Sequence, residues 1–426
     1  MLTVLGQWPK IALLAVGMFL TANTNGRADD KENPLRAELL KLNTVSSDDA
    51  QAAKLRALVK DKEKGKKTIA EAAKMMKEAK DKENPFTLNG AIILGRAAHI
   101  LREYDTAEKL YEQQIELATK LNSGSKIVQA HENLIDLYWD AKKYADLVEA
   151  CEKFMDLSEP KEVDDAKPFI LERLVQAKAK QGKFDEAQAL TKNLIDATNG
   201  DWYFLQLKGW VQRENGKLDD AIGTYNDVLD KLDTTKTVKG EAKDKLKDRV
   251  RYTLSGLYVE NKDIEKATKQ LQTLVKRNPD SATYKNDLAF IWSDSNLNLE
   301  ESEKLIKEAL ELDKKAQEKL KADGKTDEVK ENAAYLDTLG WILFKQKKYK
   351  EALDPLKKAA ADEDEGNHLE IWDHLADCHL ALGDKKAAVA AWEKALKLED
   401  VSKRDGERRR KVSEKLKKVR AELAKD

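Results

Sequence analysis

Residues that interrupt helices are scarce in this sequence. Its 426 residues include only 7 prolines and 19 glycines, while 41% are hydrophobic and 36% are charged. Alanine, leucine, lysine and glutamate, which are strong helix formers, dominate the composition. We therefore predict an all-α fold.

A large net charge of either sign is absent. Lysine and arginine number 77 against 78 aspartates and glutamates, so the formal net charge is −1. Such a chain has no overall field to attract nucleic acid or an anionic membrane. We expect no nucleic-acid partner, and any electrostatic contact must be local.

Sequence signatures of catalysis are missing as well. The chain has no glycine-rich phosphate loop, no Gly-x-Ser-x-Gly and no Cys-x-x-Cys, and His131-Glu132 lacks the second histidine of a His-Glu-x-x-His zinc site. The abundant carboxylates fall at helical positions, where they are simplest to explain as solubilising charge. We predict that the protein is not an enzyme and has no cofactor.

The sequence does contain a recurring pattern of leucines and small residues. Leu254-Ser255-x2-Tyr258 returns as Leu339-Gly340-x2-Leu343 and as Leu375-Ala376-x2-His379, and the last two lie 36 positions apart, close to the ~34 positions of a helical repeat. Such self-similarity predicts a stacked solenoid, because one helical pair cannot bury its apolar face unless a neighbour covers it. The recurring turn residues argue against the main rival, a single long coiled coil.

The register of the small residues gives the organisation of the chain. We follow it through about eight first helices, at Gly95, Ile135, Val175, Gly209, Ser255, Ala289, Gly340 and Ala376. These repeats occupy residues 85–400, with insertions near residues 234–248 and 314–332. We predict an N-terminal helical cap or degenerate repeat at residues 29–84, with Gly65 as its turn, and a basic capping helix at residues 401–426.

Turns inside the pairs are marked by residues that tolerate a left-handed backbone. Gly182, Gly216 and Asn261 end their first helices, and glycine or asparagine takes this conformation at little cost. Cys151 and Cys378 lie in different repeats, which a stiff solenoid keeps apart. We predict that both cysteines are free and buried as small hydrophobic residues.

This pattern resembles the tetratricopeptide repeat, whose motif is W-x2-L-G-x2-Y, then A-x3-F, then P. Trp372 and Leu375 match its first half, and Gly209 with Ala221 and Tyr225 matches both halves. The resemblance implies a right-handed superhelical solenoid of stacked helix-turn-helix repeats. It also implies that the first helices line a concave groove that binds an extended peptide or a partner helix, without any reaction.

Aromatic residues on the first helices are the candidate partner contacts. On this register the groove-facing aromatic residues are Tyr203, Trp210, Tyr252, Phe290 and Trp341. Aromatic anchors supply a large contact area at little entropic cost. For Trp210 and Trp341 a second interpretation stays open, in which the rings pack between neighbouring repeats.

Histidines concentrate near the end of the chain. His374 and Cys378 are four positions apart and share a helix face, a spacing suited to zinc or copper. A metal site would also need ligands from another helix, which the sequence does not supply. We therefore predict no metal, with Cys378 and His379 packed and with His368 and His374 exposed to solvent.

The first 28 residues resemble an export signal. Lys10 precedes the apolar run at residues 11–20, and polar and small residues follow as far as Ala28. The run is too short to span a bilayer comfortably. We predict a cleaved signal peptide at residues 1–28 and an exported bacterial protein of the periplasm or another extracytoplasmic compartment. The alternative is an uncleaved N-terminus that anchors the chain in the inner membrane.

The basic tail combines a cationic run with an apolar stripe. Arg408 begins a run of four basic residues, while Val412, Leu416 and Val419 recur at helical spacing. Two interpretations stay open: a helix that caps the last repeat, and a weak contact with anionic lipid headgroups or an acidic partner.

These features together predict a non-enzymatic scaffold that binds partner proteins in the groove of an exported solenoid. The alternative is a membrane-associated accessory subunit of a cell-envelope assembly or secretion machine. The patterns encode neither the identity of the partner nor the oligomeric state.

Overall fold

The computed structural model describes residues 34–79, 84–324, 330–362, 366–398 and 403–424. These residues form twenty α-helices and one short 3-10 helix at Leu42–Thr44, with no strand among them. The prediction of an all-α solenoid of helical repeats is confirmed. The predicted signal peptide at residues 1–28 lies outside the described residues.

The chain divides into two compact units, with the boundary between residues 181 and 182. The helices of unit 1 are α1 (Pro34–Lys41), α2 (Asp48–Lys60), α3 (Lys62–Ala79), α4 (Leu88–Ile100), α5 (Tyr104–Lys120), α6 (Gly124–Asp140), α7 (Tyr144–Met155) and α8 (Lys161–Lys180). Those of unit 2 are α9 (Phe184–Ala197), α10 (Trp202–Glu214), α11 (Leu218–Thr234), α12 (Gly240–Glu260), α13 (Ile264–Arg277), α14 (Ala282–Asp294), α15 (Leu299–Ala322), α16 (Ala333–Lys345), α17 (Tyr349–Ala361), α18 (Leu369–Ala381), α19 (Lys385–Ala395) and α20 (Lys403–Leu423).

Within unit 2 each helix packs against the next, from α9 to α20. The later first helices also contact one another, since α14 meets α16 and α16 meets α18, whereas α10 and α12, and α12 and α14, have no contact of that extent among their described residues. No contact of comparable extent joins the second helices α11, α13, α15, α17 and α19 in the described part of the unit. From α14 to α18 the first helices therefore approach one another more closely than the second helices do. We call the surface formed by α10, α12, α14, α16 and α18 the first-helix face.

The small residues of the register lie where two helices of a pair cross. A Cβ atom on Gly95 would lie 2.8 Å from Tyr111 Cε1, and one on Gly209 would lie 2.8 Å from Tyr225 Cε2. Glycine at these positions leaves room for the aromatic ring of the second helix, because distances below about 3 Å are not tolerated between carbon atoms. The motif thus encodes close packing inside each pair.

The turns inside the pairs differ from the prediction at one position. Gly182 and Gly216 adopt the expected left-handed backbone, with φ of 77° and 74°. Asn261 does not, since its φ is −81°, and the left-handed residue is Lys262 with φ of 61°. The turn requires a left-handed backbone at the residue after the C-cap, whichever amino acid occupies that position.

The predicted turn at Gly65 is wrong. Gly65 lies inside α3, and the chain breaks between α2 and α3 at Asp61 instead. A Cβ atom on Gly65 would collide with the backbone oxygen of Leu58 on α2. This glycine therefore allows two helices to approach closely and does not terminate either of them.

The cysteine prediction is confirmed. Cys151 on α7 and Cys378 on α18 are both free and both fully buried. Burial raises the pKa of the Cys151 thiol to about 12 and that of the Cys378 thiol to about 11. Both residues stay thiols at neutral pH and act as small core side chains.

Candidate partner-binding surface

Four of the five predicted groove residues lie half-buried on consecutive first helices of unit 2. Tyr203 and Trp210 are on α10, Tyr252 is on α12 and Phe290 is on α14. Tyr203 and Trp210 are seven positions apart and so share one side of α10. The ring of Tyr203 meets that of Phe204 edge-on, with centroids 5.3 Å apart.

A buried acid holds the ring of Tyr252 in place. The Tyr252 hydroxyl donates to Asp287 Oδ2 on α14 at 2.6 Å, and Asn286 Nδ2 donates to Asp287 Oδ1 at 3.0 Å. Burial raises the pKa of the Asp287 carboxyl group, because the surrounding protein disfavours its charged form. Tyr252 also packs against Tyr284, with ring centroids 5.5 Å apart. These contacts fix the orientation of an aromatic ring that joins α12 to α14.

The fifth residue, Trp341, is buried, with 7% of its surface exposed. Its indole stacks on the imidazole of His374 on α18, with centroids 3.9 Å apart and planes inclined by 12°. Phe344 stacks on the same indole at 4.9 Å. Of the two interpretations that the sequence leaves open for Trp341, the structure places the ring in packing between α16 and α18.

The prediction that His374 is exposed is wrong, because the structure buries this residue completely. Its Nδ1 lies 3.0 Å from both carboxylate oxygens of Asp337 on α16, and its Nε2 lies 3.3 Å from Arg408 Nη1 on α20. Cys378 turns away from this histidine and donates from Sγ to the backbone oxygen of Tyr349 at 3.3 Å. Among the residues that the structure describes, no group of three or more histidine, cysteine, aspartate or glutamate side chains is arranged to hold a metal ion.

Basic residues of α20 are divided between the protein interior and the surface. Arg408 and Lys415 turn toward acidic residues of α18, while Val412, Leu416 and Val419 are buried beside them. The cations that remain exposed on the part of α20 whose burial is described are Arg410, Lys411, Lys417, Lys418 and Arg420, the last of which pairs with Glu393. The helix therefore covers α18 and α19 with one face and presents positive charge on the other.

Models of one family match four segments of the sequence. The tetratricopeptide repeat is recognised at residues 92–124, 173–234, 332–362 and 369–401. Each of these segments starts within or just before a first helix and contains the buried small residue of the register. The chain is a tetratricopeptide repeat (TPR) protein.

Several solved structures resemble the chain at low sequence identity. A TPR protein from Parabacteroides merdae is 14% identical over 71% of this chain and 98% of its own, with a TM-score of 0.44. BtubC from P. vanneervenii is 17% identical over 52% of this chain and 89% of its own, with a TM-score of 0.38. A thermophilic TPR protein from Thermus thermophilus is 18% identical over 50% of this chain and 98% of its own, with a TM-score of 0.34. No curated protein matches this TPR chain as a relative.

In the described ranges, we find no helix whose length and apolar character would let it cross a bilayer.

Sequence reasoning missed the acidic residues that organise the first-helix face of the TPR array. Asp287, Asp337 and Asp373 are all at least nine-tenths buried, and each accepts a hydrogen bond from, or pairs with, an aromatic or cationic side chain. A signal was present in the register, because Asp337 and Asp373 each lie three positions before the small residue of their repeat. A polar residue that recurs at a buried position of a repeat predicts a hydrogen-bonded contact there.

Proposed function

We propose that this TPR protein is a non-enzymatic scaffold that binds an extended segment of a partner protein across the first-helix face of unit 2. The observation that carries the proposal is the row of half-buried aromatic rings on α10, α12 and α14: Tyr203, Trp210, Tyr252 and Phe290. Protein-binding surfaces are enriched in such rings, because they bury a large area with few rotatable bonds.

Neighbouring contacts favour a preorganised surface. Tyr252 is tied to Asp287 across two helices, and Phe290 lies 6.3 Å from the buried imidazole of His374. Rings that are already held in place lose little entropy when a partner binds. Trp341 is linked to this surface through His374, because its buried ring stacks on the same imidazole that lies beside Phe290.

A peptide selection tests the proposal without knowledge of the natural partner. A phage-displayed library of random peptides is selected on the wild-type chain, and the affinities of the enriched peptides are measured by fluorescence anisotropy. We expect Trp210→Ala and Phe290→Ala to weaken binding at least about tenfold, the loss typical of an interface anchor. Gln272→Ala, at an exposed position on the second helix α13, serves as the matched control and should leave binding unchanged.

The thermal unfolding of each variant is measured in parallel, so that a loss of binding can be separated from a loss of fold. If folded Trp210→Ala and Phe290→Ala chains bind the selected peptides as tightly as the wild type, the first-helix face of unit 2 is not the binding surface.

We also propose that the protein is exported. The support is the sequence of residues 1–28, in which a lysine precedes an apolar run and small residues follow. Mass spectrometry of the mature protein from the native cell tests this. A mature N-terminus at or near Asp29 is expected, and an intact Met1 on the isolated protein contradicts a cleaved signal.

A second candidate function, attachment to an anionic membrane surface, is favoured by the outer face of α20. Its exposed cations Arg410, Lys411, Lys417 and Lys418 could each contribute up to about 1 kcal/mol near such a surface. Vesicles with and without phosphatidylserine provide the test by sedimentation. Binding that is lost in the Lys411→Glu, Lys418→Glu double variant, but kept in Lys276→Glu on α13, supports attachment. Equal sedimentation of all three chains contradicts it.

A further inference from the structure

Three acidic residues of α18 face the last helix of the chain. Glu370, Asp373 and Asp377 are spaced at three, four and seven positions, so they lie on one side of α18. Lys415 Nζ lies 2.8 Å from Asp373 Oδ1 and 2.6 Å from Asp377 Oδ2. Arg408 pairs with Glu370 and lies 3.3 Å from Asp373 Oδ2. Two cations one heptad apart on α20 thus match three carboxylates on α18.

Burial makes this match selective. Asp373 is 3% exposed, and it also accepts a hydrogen bond from Trp392 Nε1 on α19 at 3.0 Å. Burial alone would raise the pKa of Asp373, but the adjacent Lys415 and Arg408 hold it below its ordinary value. A helix without cations at these two positions would leave an ionised group buried and unpaired, which is strongly unfavourable.

The apolar part of the contact is small. Only three apolar side chains of α20 are fully buried in the described part of the helix, namely Val412, Leu416 and Val419. They pack on the groove formed by Trp392 and the alanines of α19. We call this groove, together with Glu370, Asp373 and Asp377, the α18–α19 docking surface. Ion pairs at buried positions add discrimination between helices more than they add stability.

The charges on this surface include one from the neighbouring first helix. Asp337 on α16 pairs with His374, and the other ring nitrogen of His374 lies 3.3 Å from Arg408 Nη1, so Arg408 and Lys415 lie among carboxylates and one imidazole. An incoming helix would therefore need cations at both of these positions to match the carboxylates of α18.

From these contacts we infer that the α18–α19 docking surface is a binding site for a basic amphipathic helix of a partner protein, and that α20 is its internal occupant. The partner helix carries an arginine and a lysine one heptad apart, with aliphatic residues between and after them. Binding displaces α20, so the chain's own helix competes with the partner. This inference does not rest on the aromatic surface of α10, α12 and α14, and either can fail alone.

Hydrogen exchange on the full wild-type chain tests the inference. The chain is labelled with ¹⁵N, and an unlabelled synthetic peptide of residues 403–424 is added as the probe, so that mass separates the peptide from the chain's own α20. Each copy of the peptide that occupies the docking surface leaves one α20 undocked. By mass action, the hydrogen-exchange rate of the chain's own α20 should rise about tenfold for each tenfold increase in peptide concentration. This holds once the peptide exceeds the concentration that half-saturates the vacant docking surface.

A matched control peptide carries R408E and K415E and should produce no acceleration. Exchange in α13 should be the same with either peptide. The inference is overturned if exchange in α20 does not depend on the concentration of the wild-type peptide, or if both peptides act alike.

A second measurement uses a chain whose own helix is weakened. The Arg408→Gln, Lys415→Gln chain should bind a fluorescein-labelled wild-type peptide at least about tenfold more tightly than the wild-type chain does, because its internal competitor is lost. Light scattering of the wild-type chain distinguishes two possible occupants of the docking surface, a separate partner protein and a second copy of this chain. A dimer that forms through exchanged α20 helices would identify a second copy as the occupant and overturn the inference of a separate partner.

Discussion

His374 and Asp337 join two consecutive first helices through a fully buried contact. Nδ1 of the imidazole lies 3.0 Å from the carboxylate, and the other ring nitrogen faces Arg408 of the last helix. Burial by itself would lower the pKa of His374, and Arg408 acts in the same direction. The Asp337 carboxylate and its hydrogen bond outweigh both, so the pKa of His374 lies above its ordinary value of 6.5.

This shift predicts a loss of stability at alkaline pH. A histidine whose pKa is higher in the folded than in the unfolded state stabilises the fold fully below the unfolded value of about 6.5, and this contribution disappears as pH rises through the folded value. Urea unfolding should show that the wild-type chain loses free energy of unfolding relative to His374→Gln as pH rises above about 6.5. Parallel pH profiles for the two chains would show that His374 does not titrate in this way.

His131 in unit 1 predicts the opposite dependence. It is 8% exposed and lies edge-on to Phe154, with ring centroids 5.1 Å apart. Burial lowers its pKa to about 4. As pH falls, the unfolded chain therefore takes up a proton on His131 before the folded chain does. The free energy of unfolding is at its full value above about pH 6.5 and decreases as pH drops toward 4, by at most about 3 kcal/mol.

Hydrogen exchange of α6 and α7, corrected for the intrinsic effect of pH, locates this loss in unit 1. His131→Gln should remove the acid-dependent part of the opening free energy in these helices. Persistence of the same acid dependence in that variant would assign it to another group.

The fold was predictable because packing inside a TPR pair depends on local spacing. Gly95 with Tyr111, and Gly209 with Tyr225, are close contacts between residues less than twenty positions apart, and the repeated motif displays both partners. Contacts between repeats were harder to predict. The burial of His374 depends on Arg408, which lies 34 positions away on a helix that carries no repeat motif.

The candidate site shows the same limit. Tyr203, Trp210, Tyr252 and Phe290 were found because the register places them on first helices, and the structure leaves each of them half-buried. The register does not predict how much of a ring the next repeat buries. For Trp341 the structure shows that α18 covers the ring. Whether the four half-buried rings bind a partner stays a prediction.

Two helix glycines in unit 2 predict opposite effects of the same substitution. A Cβ atom on Gly340 would lie 2.7 Å from Leu356 Cδ2 and 3.2 Å from the backbone oxygen of Ala352, both on α17. Gly340→Ala should therefore overpack the pair and lower the free energy of unfolding by about 1–3 kcal/mol. A Cβ atom on Gly256 in α12 would meet nothing within 4 Å. Gly256→Ala should therefore raise the free energy of unfolding by about 1 kcal/mol, because alanine has the higher helix propensity.

Urea unfolding of both variants checks this pair of predictions. Equal changes of one sign would show that the close approach of α16 to α17 does not depend on the glycine.

The turns offer a second matched pair, since Gly216 and Lys262 occupy equivalent positions after α10 and α12. Their backbones are alike, with φ of 74° and 61°, and each donates from its backbone N–H to the carbonyl oxygen three residues earlier, at 2.9 and 3.0 Å. A left-handed backbone costs a residue with a side chain about 1–2 kcal/mol, whereas glycine adopts it freely.

Lys262→Gly should therefore raise the free energy of unfolding by up to about 1 kcal/mol, and Gly216→Lys should lower it by about as much. Space does not limit the second change, because a Cβ atom on Gly216 would meet nothing within 4 Å, and the Lys262 side chain is exposed. Urea unfolding of the two single variants measures both effects. Should Gly216→Lys be neutral, the turn must tolerate side chains through a change of backbone conformation, and Lys262 would then carry no strain for glycine to relieve.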